Sequence, residues 1–276
     1  MTNRARRRWP LVVAVLGIGL LASVGVLAIT WGEPDGEGHP KVGVIVVDGP
    51  RGPFTVCTGT LIAPDAFLTA GHCAAYLNSR IAAGVFGVDD VYVSFDTDDP
   101  AADSGTWHSV SSIDAHPLYG QSPRRDRAFD IAVLVLSDEI TTITPATLPE
   151  AGYLDSLRAA GAFQGGVTAA HFTVVGYGSQ LRWPPPEIFY GTDRRVATSG
   201  YMSLTAGWLF LSQNQAVGNG GTGYGDSGGP TFYSDPELGD VLVSVTSWGD
   251  VNTVATGITQ RVDLPEVLSF LAGYLD

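Results

Sequence analysis

From Lys41 onward the chain is written in short apolar runs, rich in β-branched and aromatic residues and each closed by a turn signal. The runs are Val42–Val47, Thr55–Ile62, Val91–Phe95, Ile131–Leu136, Phe172–Val175, Trp208–Leu211, Val241–Val245 and Gly257–Val262. Each is the length of a strand and is compatible with a pleated, buried surface. Asp48-Gly49-Pro50, Asp98-Asp99-Pro100, Pro184-Pro185-Pro186 and Asp235-Pro236 stand where such strands would turn. Helical periodicity is convincing only at the end, in Leu264–Leu271. No repeat of 20–50 residues and no second compositional block interrupts the pattern. An all-β barrel or sandwich follows, and with 45% hydrophobic residues in 276 the chain can bury a substantial core.

The first 29 residues are different. Arg6-Arg7-Arg8-Trp9-Pro10 precedes an unbroken apolar run from Leu11 to Ile29. A basic segment before an apolar one is the plan of an export signal, yet this run is also long enough to span a bilayer, which takes about 20 residues. Residues 1–28 are therefore read as a signal peptide, with small residues at Val26-Leu27-Ala28 for cleavage, or as a signal anchor with its basic end in the cytoplasm. Either way the body lies outside the cytoplasm, secreted or membrane-anchored, and residues 11–29 are its only expected membrane contact. That body is acidic. The net charge is −13, and setting aside the four arginines at 4, 6, 7 and 8 leaves 11 basic against 28 acidic residues, or −17. Nucleic-acid binding needs a basic footprint and is excluded.

Three sites in the body carry chemistry. Gly221-Thr222-Gly223-Tyr224-Gly225-Asp226-Ser227-Gly228-Gly229-Pro230 surrounds one hydroxyl nucleophile with glycines. Glycines allow a sharp turn and leave backbone N–H groups uncovered for an oxyanion. His72, in Leu68-Thr69-Ala70-Gly71-His72-Cys73, sits among small residues at the end of a strand. Asp130 opens the apolar run Ile131–Leu136, where a part-buried carboxylate needs a partner. An imidazole N–H is such a partner and would fix the tautomer that accepts a proton from Ser227. His39, His108, His116 and His171 show no ligand spacing and are read as ordinary surface or core residues. Cys57 and Cys73 are the only cysteines. In an exported chain an even count points to a disulfide; two buried thiols are the alternative, and no metal ligand set is present.

Chain order separates the folds that could use these groups. Gly-x-Ser-x-Gly also describes the nucleophile elbow of α/β-hydrolases, whose histidine follows the serine. Here the last histidine is His171, before Ser227. The subtilisin order puts aspartate before histidine, on a helix-rich scaffold. His72, Asp130, Ser227 is the chymotrypsin order. With Thr69-Ala70-Gly71-His72-Cys73, Asp130-Ile131-Ala132, Gly225-Asp226-Ser227-Gly228-Gly229-Pro230 and Ser247-Trp248-Gly249 in sequence, residues 29–276 resemble chymotrypsin/trypsin-family serine proteases of the bacterial, few-disulfide kind.

The resemblance implies an all-β domain of two six-stranded antiparallel barrels, a site in the cleft between them and a short C-terminal helix. It implies Ser227 as nucleophile, His72 as general base then acid, and Asp130 as the orienting carboxylate. The amides of Gly225 and Ser227 would form the oxyanion hole. Ser247 would help hold Asp130, and Ser247-Trp248-Gly249 would pair with the substrate backbone. Asp226 would receive the N-terminal ammonium of a chain cut before Ile29, where Ile29-Thr30-Trp31-Gly32 departs from the family pattern at Trp31. No Arg or Lys lies between Arg8 and Lys41, so signal cleavage rather than zymogen cutting is expected to free Ile29. Gly221 stands six residues before the serine, where trypsin-like members carry an aspartate, with Gly249 and Gly257 at the walls and Thr222 adjacent. An open, uncharged primary pocket with a preference for apolar or aromatic residues is expected. Gly223 replaces a half-cystine that normally braces it. A polypeptide substrate, a monomeric state and no metal or organic cofactor are expected. A catalytically silent, protease-like binding module at the cell surface is the alternative, and esterase activity would use the same machinery.

Overall fold

The computed structural model describes residues 29–102, 105–121, 129–182, 187–190 and 193–275. The leader or anchor expected over residues 1–28 and the prolines at 184–186 lie outside the described residues. After a two-residue strand β1 (Glu33–Pro34) come β2 (Val42–Gly49), β3 (Gly52–Ala63), β4 (Ala66–Thr69), β5 (Val91–Ser94), β6 (His108–Ala115) and β7 (Ala132–Leu136). The last six close into an antiparallel barrel in the order β2-β3-β4-β7-β6-β5. Then follow β8 (His171–Gly176), a ribbon of β9 (Ser179–Arg182) and β10 (Glu187–Tyr190), β11 (Arg195–Leu204), β12 (Trp208–Ser212), β13 (Pro230–Asp235), β14 (Gly239–Gly249) and β15 (Thr256–Arg261). Strands β11-β12-β15-β14-β13-β8 form the second barrel, closed by pairing of β8 with β11. β1 extends the edge of β11 through Glu33↔Val196 and Pro34↔Arg195. The double barrel is the architecture expected from the sequence.

The unbroken run Val42–Val47 shows why the strands do not alternate apolar with polar. Every one of these residues is buried. Successive side chains on a strand point to opposite faces. Ile45 and Val47 fill the first barrel with Leu61, Phe67, Val93 and Leu134. Val42, Val44 and Val46 face the other way and join Leu68, Val175, Phe232, Leu242 and Val245 in a core shared by both barrels. Val175 and Leu242 are themselves the outward neighbours of Val174 and Val243, which fill the second barrel. Three cores on two faces of the same strands hold the barrels in one fixed relation. At about 25 cal/mol per Å² of apolar area, each fully buried Val, Leu or Phe contributes about 1.5–3 kcal/mol.

Helix α3 (Pro265–Leu271) ends the chain where helical periodicity predicted it and packs Val267 and Leu271 on the shared core. Two further helices were not expected: α1 (Gly71–Ala82), directly after β4, and α2 (Tyr153–Ala159). Cys57 on β3 and Cys73 on α1 form a disulfide closing a 16-residue separation. A buried arginine also locks the segment before β2 to both barrels. The Arg194 guanidinium, 1% exposed, bonds Asp35 (2.7 Å), the carbonyls of Gly36, Val42 and Phe95, and the Tyr177 hydroxyl. Burial pushes the Asp35 carboxyl up, but the bonds from His39 and Arg194 outweigh it and hold it below its ordinary range. Among the described residues no helix is long and apolar enough to cross a membrane.

Candidate active site

Residues from four elements converge between the barrels. His72 lies in the first turn of α1, whose N-cap residue, Ala70, has no side chain able to accept a hydrogen bond. Asp130, just before β7, performs that task from outside the helix: the His72 backbone N–H donates to Oδ1 (2.7 Å). An anion is favoured there by the uncompensated N–H groups of the first turn. The other carboxylate oxygen, Oδ2, bonds His72 Nδ1 at 2.9 Å and accepts the Ser247 hydroxyl from β14. Asp130 is thus gripped from both barrels while its side chain is 6% exposed and that of His72 is 35% exposed. A carboxylate can only accept, so a neutral His72 carries its proton on Nδ1, and Nε2 remains the acceptor. The Asp130 N–H donates to Gln260 Oε1 (3.2 Å). Phe129 before it takes a left-handed φ of 48° and stacks on buried His116, 4.9 Å between ring centres. Such a conformation costs about 1–3 kcal/mol and persists only where surrounding packing imposes it.

Ser227 is held by a loop pressed between the barrels. Its carbonyl accepts the Thr58 N–H of β3 (2.9 Å), and the Gly228 N–H donates to Thr246 of β14 (2.7 Å). Gly228 has φ +80°, and a Cβ there would lie 2.1 Å from Thr69 Oγ1 and 2.5 Å from the Thr58 carbonyl. Only glycine fits this approach. Ser227 and His72 line one cleft of about 530 Å³ with Cys57, Tyr76, Tyr177 and Tyr224. No hydrogen bond joins them in this conformation; such bonds commonly tighten only when substrate binds. Among the described residues, the N–H groups of Gly225 and Ser227 have no hydrogen-bond partner. The sulfurs of Cys57 and Cys73 lie near His72, but they are bonded to each other and offer no thiolate to a metal.

Asp226 points away from the cleft and is fully buried. Its oxygens accept the N–H groups of Gly178 and Gly223, each at 2.7 Å. Burial pushes its pKa up to about 7, because two neutral donors only partly replace lost water. Ile29 is also fully buried, among Leu154, Phe163 and Phe172. The next residue, Thr30, accepts the Gly221 N–H at 2.9 Å, so the segment is docked on the nucleophile loop. Ile29 is in peptide linkage to residue 28, and no ion pair joins it to Asp226 among the described residues.

The expected substrate-binding residues divide. Ser247-Trp248-Gly249 ends β14 beside β15, with Gly249 opposite Gly257 and Trp248 57% exposed. Gly221, expected to leave the pocket open, has no such space around it. A Cβ there would lie 2.2–2.6 Å from Cγ, Nε2 and Cδ of Gln213, which follows β12. Gln213 Nε2 bonds the Thr222 carbonyl (2.9 Å) and hydroxyl (3.2 Å). Gln213 escaped the sequence reading because it sits outside every motif. Thr58 escaped likewise: its hydroxyl donates to the Gly225 carbonyl (3.0 Å) and accepts the Tyr177 N–H (3.2 Å), tying the loop to both barrels. The one signal for Thr58 was its place next to Cys57 in β3.

Comparison with known proteins agrees with this architecture. A family model described as Trypsin matches residues 29–268. A protein named Trypsin from Saccharopolyspora erythraea is 27% identical over 224 residues, covering 78% of this chain and 83% of that protein. With the double barrel and the chain order of its motif-bearing loops already in place, the match over residues 29–268 means that the chain belongs to the trypsin family of serine endopeptidases.

Proposed function

We propose that this serine protease hydrolyses peptide bonds with Ser227 as nucleophile, His72 as base and acid, and Asp130 as the group that orients His72. The observation that carries the reading is the double hold of Asp130 on His72, through its backbone N–H and Nδ1, with Ser227 lining the same cleft. Nε2 takes the Ser227 proton as Oγ attacks the substrate carbonyl, and returns it to the leaving amine; water then repeats the sequence on the acyl-enzyme. The unengaged N–H groups of Gly225 and Ser227 suit the developing oxyanion, where one donor is typically worth about 10²–10³ in turnover. Substrate backbone adds as a strand along Ser247-Trp248-Gly249. The primary pocket is uncharged, since Gly221, Thr222, Gly249 and Gly257 carry no ionisable group. A fluorophosphonate probe tests the reading. Labelling of the wild-type protein and none of Ser227→Ala is expected; an unlabelled wild type refutes it.

The domain acts outside the cytoplasm, an assignment supported by the Cys57–Cys73 disulfide, a bond that persists in oxidising compartments. Cleavage after Ala28 would free the Ile29 ammonium for Asp226. Two features support this: Asp226 is a buried carboxylate without a cation among the described residues, and Thr30 is already docked on Gly221. N-terminal sequencing of protein from the medium should begin at Ile29, and any other start overturns this step.

A further inference from the structure

We propose that Gln213 is the floor of the primary pocket and selects a carboxamide side chain, glutamine or asparagine, at the residue before the cleaved bond. The proposal rests on the protease reading above and adds the identity of the residue that the pocket takes. Gln213 is 1% exposed, and its carboxamide occupies the space that a side chain at Gly221 would fill. It also lies against Gly257, where a Cβ would be 3.1 Å from Nε2. A polar group that position 221 itself lacks is thus supplied from another strand end, as the neutral amide of Gln213.

The amide has one orientation. Both Nε2 protons are used, on the Thr222 carbonyl and the Thr222 hydroxyl oxygen. Turned over, Oε1 would face the Thr222 carbonyl, acceptor against acceptor. In the observed orientation Oε1 is buried without a hydrogen-bond partner among the described residues. An unpaired buried acceptor is costly, so a donor that reached Oε1 would recover that cost. Beside it, the Thr222 hydroxyl accepts from Gln213 and has no acceptor for its own proton among the described residues. The floor therefore holds one unpaired acceptor, Gln213 Oε1, and one unused donor, Thr222 Oγ1–H, on two residues already hydrogen-bonded to each other. A primary amide is complementary to that pair: its NH₂ donates to Oε1 and its oxygen accepts from Thr222. Glutamate would bring an acceptor against Oε1. Lysine or arginine would bury a charge without a counter-ion. Apolar side chains fit the walls, where Gly249 and Gly257 carry no side chain, but leave both floor groups unpaired.

Matched fluorogenic peptides varying only in this residue (Gln, Met, Glu, Lys) test the assignment on the full protein and on Gln213→Leu and Gln213→Glu. Fluorophosphonate labelling of Ser227 in each variant reports that the site has folded. Wild type should cleave after Gln about tenfold or more better than after Met in kcat/KM, the penalty for one unsatisfied buried group. Gln213→Leu should bring the Gln:Met ratio close to one, and Gln213→Glu should place Lys above Gln. A wild-type ratio near one, or a ratio unmoved in labelled Gln213→Leu, overturns the proposal while leaving the protease reading intact. Absence of labelling in wild type refutes both.

Discussion

The Asp226 carboxylate gives the most direct electrostatic test of the nucleophile loop. It is fully buried, its two partners are backbone N–H groups, and its pKa rises from an ordinary 3.8 to about 7 through burial. At about 1.4 kcal/mol per pH unit, that difference is worth about 4 kcal/mol. A folded-state pKa above the unfolded one means that the native chain holds the proton more tightly. The contribution is complete below about pH 4 and is lost as pH rises from 3.8 to about 7. Urea unfolding of the full chain in detergent, at pH 4 and pH 8, should show wild type losing about 4 kcal/mol more than Asp226→Asn over that interval. The other acids are common to both proteins, so their titration cancels in the difference. In a chain beginning at Ile29 the free ammonium offsets the burial of the carboxylate, and the excess loss should shrink. Parallel pH dependences for wild type and Asp226→Asn in the full chain would refute the reasoning.

Other perturbations follow from the same contacts. Asp130→Asn keeps the side-chain shape but places an N–H donor where His72 Nδ1 and Ser247 both donate, so kcat should fall about 10⁴-fold with folding preserved. Arg194→Ala takes the guanidinium from the buried Asp35 carboxylate and leaves His39 as its remaining side-chain partner, and urea unfolding should register a loss of about 3–5 kcal/mol. Replacing Cys57 and Cys73 together by alanine opens a 16-residue separation and should cost about 3 kcal/mol in the same assay. Gly228→Ala should cut kcat sharply while the far sides of both barrels keep their hydrogen-exchange protection, because the atoms nearest its Cβ, from Thr69, Thr58 and Ala70, lie around the loop.

What the sequence made legible was set by how local the cause is. β-Branched runs and turn residues act within a few positions, and most of the strands lie close to where such runs appear. Helix α3 was visible through its own periodicity and Pro265 at its first turn. Helix α1 was not, because its N-terminus carries no capping side chain; the cap is Asp130, 58 positions away in the chain. The unbroken apolar run Val42–Val47 announced a buried strand without revealing that alternate residues serve different cores. The same division runs through the site. His72, Asp130 and Ser227 stand in short motifs whose composition reflects their own local needs. Thr58, Gln260 and Gln213 are ordinary polar residues whose meaning comes only from what they touch. Gly221 is the sharpest instance. In a sequence, a missing side chain reads as empty space, and an open pocket was the natural inference. In the fold, space beside a buried loop is filled by whichever neighbour can reach it, since close packing leaves few voids. Gln213 reaches it, so the space beside Gly221 is filled by a residue eight places earlier.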